Sequence, residues 1–205
     1  CKRGIISGVT TNPSLMSKEP RGSYVNHMIK IAEICQKYNN IPLSVEVFTT
    51  DQNEIYHQAL RLEEDIGYHN LNIKIPVGFN ELETISKLAA VGARVNCTCC
   101  FTTSQLTLAA AAGARYVSFF YNRAKDSGED EFCTLDDASK FIKSNKLNCK
   151  IIAGSIRTPK DITDAWSYGA DIVTSGYNVI KEGTTHPGTQ SSVDQFLTDF
   201  KEWIN

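Results

Sequence analysis

Asn72-Ile73-Lys74-Ile75-Pro76-Val77, a helical stretch from Glu81 to Ala90, and then Arg94-Val95-Asn96-Cys97-Thr98-Cys99 together decide the fold. Two short runs of β-forming residues on either side of one amphipathic helix make a β-α-β unit. The alternation continues in both directions, with strands expected at Ile6–Thr10, Leu43–Val47, Asn72–Pro76, Arg94–Cys99, Tyr116–Phe120, Lys150–Gly154 and Asp171–Thr174. Between the strands, Tyr24–Gln36 places Val25, Met28, Ile29, Ala32 and Cys35 on one helical face, and Asn53–Asp65 repeats the pattern. A further helix is punctuated by Thr158 as N-cap, Pro159 at the first helical position and Gly169 beyond its end. The last helix, Ser192–Ile204, carries a stripe of Val193, Phe196, Leu197, Phe200 and Trp203, which is expected to pack on the barrel or on a neighbouring subunit.

Strict β-α alternation implies an α/β domain with parallel strands. An open doubly wound sheet would bind at a glycine-rich first turn, and no G-x-G-x-x-G occurs. Polar residues recur instead within or just after several strands, which favours a (β/α)8 TIM barrel whose first strand is absent from this chain. Residues 1–205 are expected to form one barrel domain that includes the C-terminal helix 192–204.

Composition narrows the function. The formal net charge is −2 and charges of both signs are dispersed, so neither nucleic acid nor an anionic membrane finds a basic stripe. No apolar run reaches the roughly 18 residues needed to span a bilayer, and Cys1-Lys2-Arg3-Gly4 does not open a signal peptide, so a cytoplasmic protein is expected. The seven cysteines lack paired spacings, and Cys97-Thr98-Cys99-Cys100 lacks the spacing of a metal site, so free thiols packed as small hydrophobes are expected.

Lys74 is the exception in an otherwise apolar strand. Burial disfavours an ammonium, so a lysine there is either paired or reactive, and a neutral amine is what Schiff-base chemistry on a carbonyl requires. Strand parity puts Lys74 on one face with Asn72, and assigns Ser44 and Glu46, Asn96 and Thr98, and Ser118 and Phe120 to the same interior, with Cys97 and Cys99 outward. Barrel interiors are ordinarily filled by Val, Ile and Leu, so these polar layers are the functional signal. Glu46 reads either as the counterion of Lys74 or as a carboxylate that positions water and shuttles protons; the two are compatible. Past the strand ends, Arg123 and the run Gly154-Ser155-Ile156-Arg157, with backbone N–H groups at a helix start, suggest a phosphate clamp. His186, in the loop Gly183–Gly188, reads as a solvated or lid residue, and the acidic loop Lys125–Glu131 is assigned no chemistry.

Gly8-Val9-Thr10-Thr11-Asn12-Pro13-Ser14, Lys74-Ile75-Pro76, Asn96-Cys97-Thr98 with Phe101, Ser118-Phe119-Phe120 with Arg123, and Gly154-Ser155-Ile156-Arg157 resemble the transaldolase family across essentially the whole chain. Length and the Asn122-Arg123 turn are similar to the small subfamily that also contains fructose-6-phosphate aldolase.

The resemblance implies that Lys74 is the Schiff-base nucleophile and that Glu46 and Thr98 hold a proton-relay water. Asn12, Asn96 and Ser118 would bind hydroxyls of a three-carbon fragment, Phe120 would wall the pocket, and Arg123, Ser155 and Arg157 would hold phosphate. The implied activity moves a dihydroxyacetone unit between sugar phosphates, from donors such as fructose 6-phosphate or sedoheptulose 7-phosphate, in the pentose phosphate pathway. Neither metal nor cofactor is implied, because the protonated imine is itself the electron sink, and a homo-oligomer is. Aldolases of the subfamily carry Gln where this chain has Glu46, which favours transfer over an aldolase; a non-catalytic sugar-phosphate-binding barrel is the other alternative. The family also places on the first strand an aspartate that takes the C4 hydroxyl proton, and a chain lacking that strand is expected to form the imine without cleaving the carbon–carbon bond.

Overall fold

The strands form where β-branched runs can bury one face under helices, and the helices where apolar residues recur every three or four positions. A computed structural model describes residues 1–204. In chain order it contains β1 (Val9–Thr10), α1 (Pro13–Met16), α2 (Tyr24–Lys37), β2 (Leu43–Glu46), α3 (Gln52–Ile66), β3 (Leu71–Pro76), α4 (Phe79–Ala90), β4 (Val95–Cys100) and α5 (Thr103–Ala111). There follow β5 (Tyr116–Phe120), α6 (Tyr121–Asp126), α7 (Glu131–Ser144), β6 (Lys150–Gly154), α8 (Pro159–Ser167), β7 (Ile172–Val173), α9 (Tyr177–Glu182) and α10 (Pro187–Ile204).

The seven strands lie in sequence order, each parallel to the next, with Leu43 opposite Leu71, Ile73 opposite Val95 and Val117 opposite Ile151. Their helix-facing side chains, among them Val45, Ile73, Ile75, Val95, Cys97, Val117, Phe119 and Ile151, are buried. Each large aliphatic chain so buried stabilises the fold by about 1.5–3 kcal/mol. The sheet curls until the hydroxyls of Thr10 and Thr174 share a 2.8 Å hydrogen bond, giving the expected TIM-barrel-like (β/α) architecture. Among the described residues no ladder joins β7 to β1, and a cavity of about 340 Å³ opens between them, lined by Ile6, Val9, Trp166, Val173 and, from the interior, Asn72.

The local signals at the helix ends are realised. Side-chain oxygens of Ser23, Asp51, Thr102, Asp130 and Thr158 accept N–H groups of the first turns of α2, α3, α5, α7 and α8. Beyond α8, Gly169 turns the chain at φ +110, where a Cβ would also meet Ser139 Cβ at 2.9 Å. The edge strands are shorter than the pattern suggests, because β1 pairs only with β2 and β7 only with β6.

Of the two expectations for the last helix, packing on the barrel is not seen. α10 starts five residues earlier than its apolar stripe implies, and every described residue in it is exposed, Phe196 at 69% and Trp203 at 80%. It does not pack on the barrel. Ala165 of α8, the helix in contact with β7, is buried, and Val179 of α9 packs on the core.

Candidate active site

β2, β3, β4 and β5 deliver their polar side chains to the interior because alternate residues of a strand share a face. Register places Glu46 opposite Lys74 and Lys74 opposite Asn96. Lys74 is 6% exposed and Glu46 8%, and Lys74 Nζ donates to Glu46 Oε2 at 2.6 Å and to the Thr11 carbonyl at 2.7 Å. Dehydrating two ions costs several kcal/mol for each, and their attraction in a low-dielectric interior, with the added carbonyl contact, offsets it. The paired reading of Lys74 is therefore the one seen in the folded chain.

Around this pair the polar layer is continuous. Ser118 Oγ donates to Asn96 Oδ1 at 2.7 Å, and Asn96 Nδ2 donates to Ser44 Oγ at 3.3 Å. Thr98 is buried in the same face. Asn12 is half-buried beside Thr11; its Oδ1 accepts Leu15 N–H at 2.9 Å as the N-cap of α1, which leaves its amide nitrogen for other partners. Asn72 Nδ2 reaches the Leu43 carbonyl, while its buried Oδ1 has no partner in the protein. The Thr11 hydroxyl donates to the Ser44 carbonyl at 2.9 Å, and Tyr24 OH lies 3.4 Å from the Glu46 carbonyl. Burial pushes the Tyr24 phenol up to about 12, so it stays a neutral donor.

Parity fails at Cys99. The ladder between β4 and β5 shifts register between Cys97 and Cys100, and Cys99 sits at φ +61. This β-bulge inserts an extra residue, so Cys100 takes the core position and Cys99 is only half-buried. Burial, then the Glu46 carboxylate, push its thiol up, and the charges of Lys74 and Arg123 act on it in the opposite sense. Cys99 is thus not outward in the manner of Cys97; it lies within the field of the Lys74 site. All seven cysteines are free thiols, as the sequence indicates, and Cys35, Cys97, Cys100 and Cys149 are buried.

A second cluster adjoins the first across the ends of β5 and β6, whose register sets Phe120 opposite Gly154. The Arg123 guanidinium lies over the Phe120 ring at 5.0 Å, and Phe120 meets Phe101 edge-on at 5.8 Å. Ser155 is in the left-handed region at φ +59. Arg157 is not free: its guanidinium forks onto Asp126, with Nη1 to Oδ1 at 3.0 Å and a second, shorter contact from Nη2 to Oδ2. Asp126 belongs to the stretch Lys125–Glu131 assigned no chemistry, and its role here is an ion pair. Two of the N–H groups ahead of α8 are also bonded within the chain. Arg157 N–H and Thr158 N–H donate to Asp161 Oδ2 at 2.8 and 2.9 Å, and Asn122 Nδ2 donates to the same oxygen at 2.7 Å and to the Ser155 carbonyl at 2.9 Å. Burial works to raise the Asp161 carboxyl pKa, but these donors together outweigh it and hold it below the ordinary carboxylate value.

The residues that sequence reasoning missed are Asp126, Asp161, Thr11 and Tyr24. Of these only Asp161 left a local signal, as the third helical residue after the Thr158 cap. His186 is exposed, and its Nδ1 accepts Gly188 N–H at 3.1 Å at the start of α10.

A buried lysine–carboxylate pair lined by hydroxyls and amides, with two arginines at the rim, can bind and activate a polyhydroxylated carbonyl compound bearing an anionic group. Comparison with known proteins gives the family. Residues 1–204 match the family described as Transaldolase/Fructose-6-phosphate aldolase. A probable transaldolase of Dehalococcoides mccartyi is 36% identical over 200 residues, covering 98% of this chain and 90% of that protein. Probable transaldolases of Desulfitobacterium hafniense strain DCB-2 and Roseiflexus sp. strain RS-1 are 37% and 34% identical over 199 and 201 residues, covering 97% and 98% of this chain and 90% and 89% of their own. With its barrel, its interior lysine and this full-length similarity together, the chain belongs to the transaldolase/fructose-6-phosphate aldolase family.

Proposed function

We propose that the protein is a transaldolase that carries a dihydroxyacetone unit on Lys74 as a Schiff base. The observation that carries this reading is the 2.6 Å contact of Lys74 Nζ with Glu46 in the buried interior. The ammonium passes a proton to the carboxylate beside it, and the resulting amine attacks the C2 ketone of a ketose phosphate. The carbinolamine loses water, its leaving hydroxyl protonated from Glu46 through a water held with Thr98. As the C3–C4 bond breaks, the C4 hydroxyl gives its proton to a carboxylate, the role the family resemblance gives to a first-strand aspartate, and the electron pair enters the iminium, leaving an enamine on Lys74 and releasing an aldose phosphate. The enamine then attacks the aldehyde of a second aldose phosphate, and hydrolysis returns the free lysine.

Asn12, Asn96 and Ser118 bind hydroxyls of the three-carbon unit, Phe120 walls it, and Arg123, Ser155 and Arg157 hold phosphate by charge-assisted hydrogen bonds. Donors such as fructose 6-phosphate or sedoheptulose 7-phosphate, a cytoplasmic place in the pentose phosphate pathway, and a homo-oligomeric state belong to this proposal. Glu46 favours transfer over simple cleavage, because the aldolases this chain resembles carry Gln at that position.

The test is intact mass and peptide mapping after incubation with fructose 6-phosphate and borohydride. An adduct on Lys74, lost in Lys74→Met, is expected, of three carbons where a first-strand base takes the C4 proton and of six where none does. A requirement for an acceptor aldose phosphate in turnover separates a transaldolase from a fructose-6-phosphate aldolase. Sugar-phosphate binding with no trapped adduct would sink the Schiff-base reading in favour of a binding barrel.

A further inference from the structure

We infer that Asn122 and Asp161 are positioning residues that shape the Ser155–Arg157 loop for a phosphate group and thereby set the preference for phosphorylated sugars. The inference rests on the reading of Lys74 and the arginines given above and adds to it the device that holds the loop. Ser155 adopts φ +59, a conformation that a residue with a Cβ takes only when its surroundings impose it. The imposing group is the Asn122 amide, 8% exposed, which donates one hydrogen to the Ser155 carbonyl at 2.9 Å and the other to Asp161 Oδ2 at 2.7 Å. The same oxygen accepts the N–H groups of Arg157 and Thr158.

A helix cap would need only the Thr158 contact. The additional bonds reach from α8 across to α6, where Asn122 directly precedes Arg123. One network therefore fixes the backbones that carry Arg123, Ser155 and Arg157 relative to each other. It also spends the N–H groups of Arg157 and Thr158 on an internal carboxylate, so an incoming phosphate meets the three side chains at the spacing the network sets. Preorganising donors in this way raises affinity for an anion of matching shape by removing the cost of ordering them.

The test compares imine trapping by fructose 6-phosphate with trapping by dihydroxyacetone, which reaches Lys74 without a phosphate, in the full-length protein and in Asp161→Ala, Asn122→Ala and Thr158→Ala. Asp161→Ala and Asn122→Ala are expected to lower the phosphorylated-to-unphosphorylated rate ratio about tenfold, through a higher half-saturating concentration. Thr158→Ala, which removes a cap hydroxyl alone, is expected to lower Tm with the ratio held within about twofold. Asp161→Glu, which keeps the carboxylate, is expected to recover part of the ratio. An unchanged ratio in folded Asp161→Ala and Asn122→Ala, or an equal drop in Thr158→Ala, would overturn the inference. If the parent protein traps neither sugar, the Schiff-base reading fails by itself, and calorimetric titration with inorganic phosphate still decides: about tenfold weaker binding in the two variants supports the loop device, and equal or no binding refutes it.

Discussion

Lys74 and Glu46 stabilise each other only as a pair, and this sets what single substitutions at either position will do. Lys74→Met leaves a carboxylate 8% exposed with no cation in contact, and breaking a buried pair in this way costs about 3–5 kcal/mol. The double change Lys74→Met with Glu46→Leu removes both charges and is expected to restore most of that loss. Urea denaturation of the three proteins checks it, and a double variant no more stable than Lys74→Met would contradict the ion-pair account. That Lys74 is buried was legible from Ile73 and Ile75 on either side. That its second partner is the Thr11 carbonyl was not, because 63 residues separate them and no pattern in either segment refers to the other.

Among the elements, α6 and α8 carry information that neither shows alone. Asp126 at the end of α6 holds Arg157 with the forked geometry that a phosphate would use, so the carboxylate and the substrate compete for one guanidinium. Asp126→Asn is expected to tighten inorganic phosphate about two- to fivefold at low ionic strength, read by competitive inhibition. Weaker inhibition would mean that Asp126 orients Arg157 instead of withholding it. Asp161 binds its proton less readily in the folded protein than in the unfolded chain. Its contribution is therefore complete above the ordinary carboxylate range, near pH 4, and is lost as pH falls through its lower folded value. Hydrogen exchange at the N-terminal turn of α8 should accelerate selectively below about pH 4 relative to α5, which is capped by the uncharged Thr102 and Gln105. Thr158, Pro159 and Gly169 announced α8 because caps are local. The β-bulge at Cys99 went unannounced, since cysteine has no preference for the left-handed region and the bulge is imposed by the neighbouring ladder.

The whole molecule displays Val193, Phe196, Leu197, Phe200 and Trp203 along α10, with Phe200 stacked on Trp203 at 6.0 Å and none of them buried. Such a contiguous apolar face is unusual on a monomer. The chain is expected to self-associate through it, and light scattering of Phe196→Glu with Phe200→Glu should show a smaller species than the parent; equal masses would remove α10 from the interface. The amino-acid sequence by itself determined the strand and helix alternation, the parity that gathers Lys74, Glu46, Asn96, Thr98 and Ser118, and the capped start of α8. All of these depend on periodicity and on groups a few residues apart, which a linear pattern records. Only the tertiary structure decided that Lys74 is an ion pair, that a β-bulge leaves Cys99 half-buried, that Asp126 occupies Arg157, that Asp161 and Asn122 knit the Ser155–Arg157 loop, and that α10 does not pack on the barrel. Those outcomes depend on which distant backbones come within hydrogen-bonding reach once the sheet curls.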